Sequence, residues 1–167
     1  GWDFSVFENK NLLRFIQIKP LFLSSTKIKR DESNTIKLYI YDLLTKITNE
    51  AKAIKAKRIV IDSITLIESF IRDKYLRRVG LSYFIQSLKQ LGSTILITST
   101  ILHTKPESLS LSGVVEFLVD GIIKLEYDPG REEFKRTISI LKMRRTKHSE
   151  FIHPFEFTKD GIKIILV

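Results

Sequence analysis

Arg58-Ile-Val-Ile-Asp-Ser63 is the stretch on which the fold turns. Three branched aliphatics between a cation and Asp-Ser predict a short strand apolar on both faces, the mark of a central strand in a parallel sheet. Such a strand carries Asp62 to its C-terminal rim, where ligands bind in open α/β sheets.

Working outward, Ile36, Ile40, Leu43, Leu44, Ile47, Ala51 and Ile54 recur at helical spacing, with Ser33 or Asn34 available as cap. Before them, Leu12 to Ile18 predicts a strand and Ser24 to Ser33 a polar loop. After Asp62 a helix is expected from about Lys74 to Leu91, closed by Gly92. Thr94 to Thr98 then gives a second buried strand that ends in the hydroxyls Thr98, Ser99 and Thr100. Alternating β and α units predict an α/β domain with a mostly parallel sheet. Beyond Asp120 only strands follow: Gly121 to Tyr127, Phe134 to Lys142, Phe151 to Phe157 and Ile162 to Val167, read as an antiparallel extension packed on one edge. The 167 residues fit one domain, and 43% apolar residues suffice for a core.

Composition narrows the function classes. The apolar runs are broken by charges well before the ~20 residues a bilayer helix needs, so no membrane association is expected. Gly1-Trp-Asp-Phe4 lacks the basic-then-apolar start of a secretory signal. With no cysteine there is neither a disulfide framework nor a thiolate metal site, which fits a cytoplasmic protein. Abundant Lys, Glu and Ile beside scarce Asn, Gln and Met hint at a heat-adapted source. A net charge of +9 favours a polyanionic partner, although a lysine-rich thermostable surface would carry the same excess. His103, His148 and His153 show no metal-ligand spacing, and no Gly-x-Ser-x-Gly elbow occurs.

Two places carry chemistry. Asp62 can hold a hydrated Mg²⁺, with the hydroxyls of the second strand, Ser99 among them, sensing a γ-phosphate. The plainer reading is that Asp-Ser caps the next helix. Eighty residues on stands Lys142-Met-Arg-Arg-Thr-Lys-His148. As a continuing strand it would place Ile138, Ile140, Lys142, Arg144, Thr146 and His148 on one side, turning a buried face into a cationic one. Lys142 offers a compact charge and Arg144 a planar fork for phosphate oxygens. An edge strand guarded by charge would look the same. A Gly-x-x-x-x-Gly-Lys-[Ser/Thr] phosphate cradle occurs nowhere in the chain.

Gly1-Trp-Asp, Arg58-Ile-Val-Ile-Asp-Ser-Ile-Thr65, Gly113-Val-Val-Glu-Phe-Leu-Val-Asp-Gly-Ile-Ile123, the Ile140 to His148 run and Pro154-Phe-Glu-Phe-Thr-Lys-Asp-Gly-Ile162 resemble, in order and spacing, the KaiC-like ATPases of the RecA superfamily. The resemblance runs from Gly1 almost to the end. It implies a partial RecA-like, mostly parallel sheet flanked by helices, a hexamer, and ATP with Mg²⁺ bound between subunits. Asp62 matches the Walker B acid. Lys142 and Arg144 match the pair that reaches the γ-phosphate of a neighbour's ATP, and Thr146 and His148 match positions beside that nucleotide's base and sugar. Arg145 stands where the family often has glycine, so a different turn is expected there.

In the family, the cradle, its helix and a strand bearing paired glutamates precede Gly-Trp-Asp, so the chain reads as an N-terminally incomplete domain. It is therefore expected not to hold ATP or Mg²⁺ tightly alone, and either to associate with itself through the sheet edge left exposed beside Thr94 to Thr98 or to rearrange locally so that another strand fills the gap. The alternative is a non-catalytic, shortened relative acting as a regulatory or nucleic-acid- or protein-binding module. By the RecA resemblance, two loops would face a central axis and could track nucleic acid: Ser69 to Arg78, with Arg72, Lys74, Arg77 and Arg78, and Ile101 to Ser112, with His103 and Lys105. The plainer reading of these charges is ordinary solvated residues at a helix start.

Overall fold

The computed structural model describes residues 3–18, 32–100, 109–110, 112–128, 130 and 136–165. Gly1, Trp2, most of the predicted polar loop, His103, Lys105, Phe134 and the C-terminal end of the last predicted strand lie outside the described residues. The chain forms two compact units, Gly1–Leu118 and Val119–Val167. No helix among the described residues is long and apolar enough to cross a membrane.

In the first unit, a short helix α1 (Ser5–Asn9) follows Asp3, whose carboxylate accepts the Ser5 N–H at 2.9 Å. The Ser5 hydroxyl, with that backbone contact second, holds the Asp3 carboxyl below its ordinary value. Leu12 to Ile18 does not form the expected strand, and both Leu12 and Phe15 are exposed. A strand persists only where a neighbour takes its N–H and C=O groups, and no described strand lies beside this one.

Helix α2 (Glu32–Ala53) starts slightly ahead of the expected cap, placing Ser33 and Asn34 in its first turn. Its periodic face is the predicted one: Ile36, Ile40, Leu43, Leu44 and Ile47 are all buried. Strand β1 (Arg58–Ile61) leads into α3 (Ile64–Phe70) and α4 (Lys74–Lys89), and then into β2 (Thr94–Ile97). Asp73 caps α4 by accepting the Leu76 N–H at 2.7 Å, and Gly92 takes the left-handed conformation beyond its end. Leu81, Phe84, Ile85 and Leu88 of α4 complete a core with α2. Gly80 permits the approach, since a Cβ there would stand 2.7 Å from Ile40 Cδ1.

β1 and β2 pair in parallel from Arg58 opposite Thr94 to Ile61 opposite Ile97. Among the described residues they are the whole of this sheet. One face is covered. On the other, Val60 is 65% and Leu96 55% exposed, so β1 lacks the two-sided burial expected of a central strand.

The second unit is an antiparallel meander, β3 (Gly121–Tyr127), β4 (Arg136–Met143), β5 (His153–Thr158) and β6 (Gly161–Ile164), in sheet order β3-β4-β5-β6. Arg136 lies over the Tyr127 and Phe157 rings, 5.2 and 5.4 Å from their centroids. The ladder between β3 and β4 steps by one residue: Ile123 faces Ile140, but Ile122 faces Lys142. Leu141 is thus the extra residue of a bulge, which moves everything after it to the opposite face. Lys142 therefore falls on the side of Ser139 and Thr137, not that of Ile138 and Ile140 as unbroken alternation predicts. The strand then ends at Met143 and turns at Arg144 and Arg145.

Candidate functional site

Parallel pairing brings the C-terminal rims of β1 and β2 together. Asp62 leaves β1 exposed to solvent, and Thr98 leaves β2 beside it, its hydroxyl donating to Asp62 Oδ1 at 2.6 Å. The Asp62–Ser63 peptide is cis. Two further bonds fasten α3 to this rim: the Ile64 N–H donates to the Thr98 carbonyl, and the Thr100 N–H to Thr65 Oγ1, each at 3.0 Å. Ser63 takes the N-cap position of α3 but makes no side-chain capping bond. Ser99 points inward, its hydroxyl buried without a hydrogen-bond partner among the described residues, and Thr98 is the hydroxyl set beside the acid.

These residues suit a magnesium ion bound through phosphate and water. Mg²⁺ keeps several waters and takes only one or two carboxylates from such sites. Asp62 presents one exposed carboxylate, oriented by a neutral donor, and no group of three or more potential ligands clusters among the described residues. The far end of α3 is also anchored. Glu68 is fully buried and accepts the Ser112 N–H at 3.0 Å, while Ser110 donates to Glu116 at 2.9 Å. The sequence concealed this because Glu68, between Ile67 and Ser69 on a short helix, looks like an ordinary solvated acid.

In the second unit the basic run is held by the residues just before β3. Lys142 Nζ donates to the Val119 carbonyl at 2.7 Å. Arg144 Nη1 meets Asp120 Oδ1 at 3.2 Å. Arg145 adopts φ +60°, so the turn keeps the left-handed geometry that favours glycine, although the side chain is an arginine. Thr146 and Lys147 are exposed, and the half-buried His148 donates from Nδ1 to the Ser149 carbonyl at 3.0 Å. Of the basic residues near the first candidate nucleic-acid loop, Arg77 is committed to the backbone between α3 and α4. Its Nε donates to the Ile71 carbonyl at 2.7 Å, and Nη2 to that of Arg72 at 3.3 Å. Arg72, Lys74 and Arg78 are exposed.

The profile described as "ATPase: KaiC" matches residues 1–166, so it spans both the acid rim and the basic turn. The chain belongs to the KaiC ATPase family. Circadian clock protein KaiC3 of Synechocystis sp. is 31% identical over 99% of this chain and 32% of its own length. UPF0273 protein MJ1359 of Methanocaldococcus jannaschii is 33% identical over 97% of this chain and 65% of its own. The crystal structure of the KaiC-like protein PH0186 from Pyrococcus horikoshii matches with a TM-score of 0.76 at 29% identity, over 99% of this chain and 65% of that one. The fold is thus the RecA-type α/β fold of KaiC-like proteins, and the chain spans about a third to two thirds of these relatives' lengths.

Proposed function

We propose that this chain supplies two parts of a KaiC-like ATP site shared between subunits: the metal acid of its own site and the cations of its neighbour's. In this reading Asp62 holds a water of the Mg²⁺ shell, oriented by Thr98. Lys142 and Arg144 reach the γ-phosphate of ATP bound by the adjacent subunit of a ring, and Thr146 and His148 lie beside that nucleotide's sugar and base. Ser99 has a lesser role as sensor, because its hydroxyl is turned inward. The observation that carries the reading is the Thr98 to Asp62 hydrogen bond at the joined rims of two parallel strands. A helix cap has no need of it, whereas an acid that must face a hydrated cation is kept in place by it.

Turnover needs a phosphate cradle as well, since phosphoryl transfer depends mainly on positioning and charge. The 167-residue chain alone is therefore expected to be inactive. In the full-length protein, Asp62→Asn should lower Mg²⁺-dependent ATP turnover by about 100-fold or more. Turnover equal to wild type in that variant would contradict the assignment. A second reading, a non-catalytic module that docks on other subunits, draws on the bare face at Val60 and Leu96.

A further inference from the structure

Asp120 stands one residue before β3, opposite Arg144 where the β3–β4 ladder runs out beyond the Gly121 to Met143 pair. It grips Arg144 twice. The Arg144 N–H donates to the Asp120 carbonyl at 2.9 Å, and the guanidinium Nη1 to its carboxylate at 3.2 Å. Gly121 tightens this end, because a Cβ there would come within 2.9 Å of Met143 Sδ. Energetically the ion pair is a weak stabiliser: its side chains are 52% and 61% exposed, and such pairs contribute about 0–1 kcal/mol.

Its geometric effect is larger. A free arginine samples many rotamers and loses that freedom when it docks, whereas a side chain already held in one orientation has less to lose. Asp120 fixes the backbone and the head of Arg144 together. The contact engages Nη1 while about half of the side chain still faces solvent, which suits a fork that must also meet an anion.

We infer that Asp120 is a positioning residue for Arg144, holding the guanidinium at the end of β4 in the orientation that meets phosphate oxygens of a neighbour-bound nucleotide. The inference rests on the trans-acting reading of Arg144. In the full-length protein, Asp120→Ala should lower kcat about two- to five-fold and leave KM for ATP nearly unchanged. Asp120→Asn, which keeps an acceptor oxygen without the charge, should fall between it and wild type. In an Arg144→Ala background, Asp120→Ala should cost nothing further, since a residue that acts through Arg144 has no second route. Equal losses in both backgrounds, or full activity in Asp120→Ala while Arg144→Ala is impaired, would overturn the inference. Undiminished turnover in Arg144→Ala would instead remove the trans-acting reading and this inference with it. A readout apart from activity is the Arg144 Nε–H resonance, which should move and exchange faster in Asp120→Ala; an unchanged resonance would show that the carboxylate does not hold the side chain.

Discussion

Arg145 is the residue at which chemistry and conformation disagree most openly. Its φ of +60° places a long, β-carbon-bearing side chain in a region that costs most L-residues about 1–2 kcal/mol. Glycine avoids that cost but gives back part of the gain through its freer unfolded chain. Arg145→Gly is therefore expected to raise stability by up to about 1 kcal/mol, read as a higher denaturation midpoint. A lower midpoint would mean that the arginine makes contacts that outweigh its backbone strain. At this scale the candidates were legible and their proposed roles were not. An aliphatic run ending in an acid singles out Asp62, and a dense basic run singles out Lys142 and Arg144. Thr98 is read from the sequence only as one of three rim hydroxyls, and Asp120 is not singled out, because each acquires its contact only when pairing sets it beside a residue 36 or 24 positions away. Single-chain spacing holds no trace of such partners.

Among the elements, α2 and α4 show how a small residue sets a packing distance. Gly80 costs its helix about 1 kcal/mol relative to alanine, yet a Cβ at this position would run into the buried Ile40 side chain. Overpacking of that kind typically costs 1–3 kcal/mol, as a rough guide. Gly80→Ala should thus show a small net loss, about 1 kcal/mol or less, and Gly80→Leu a much larger one by equilibrium denaturation. A clear gain in Gly80→Ala would show that Ile40 moves aside freely. The elements themselves were readable where a period persisted: α2, α4 and β3 fall close to the expected spans. Leu12 to Ile18 failed because its apolar content describes a willingness to pair, and pairing also needs a partner. The parity of Lys142 failed for a different reason. A bulge at Leu141 inserts one residue into β4, and nothing in Ile-Leu-Lys-Met announces it.

For the whole molecule, the two-stranded sheet is the telling feature. Val60 and Leu96 lie bare on one face, and each strand has an edge without a strand partner among the described residues. Exposed apolar faces and open edges favour association. The 167-residue chain should therefore self-associate in sedimentation experiments, and Val60→Lys with Leu96→Lys should shift it towards monomer. A wild-type monomer at high concentration would refute that expectation. The central claim is that the nucleotide site is split between subunits, with Arg144 acting across the boundary. Its most direct measurement mixes two variants of the full-length protein, Arg144→Ala and Asp62→Asn. Each alone should lose about 100-fold or more of its ATP turnover, as when an arginine finger or a metal-holding acid is removed, while the mixture should regain a substantial part as intact half-sites meet. Wild-type turnover in Arg144→Ala alone, with no gain on mixing, would contradict the account and leave the basic turn as a charged strand end.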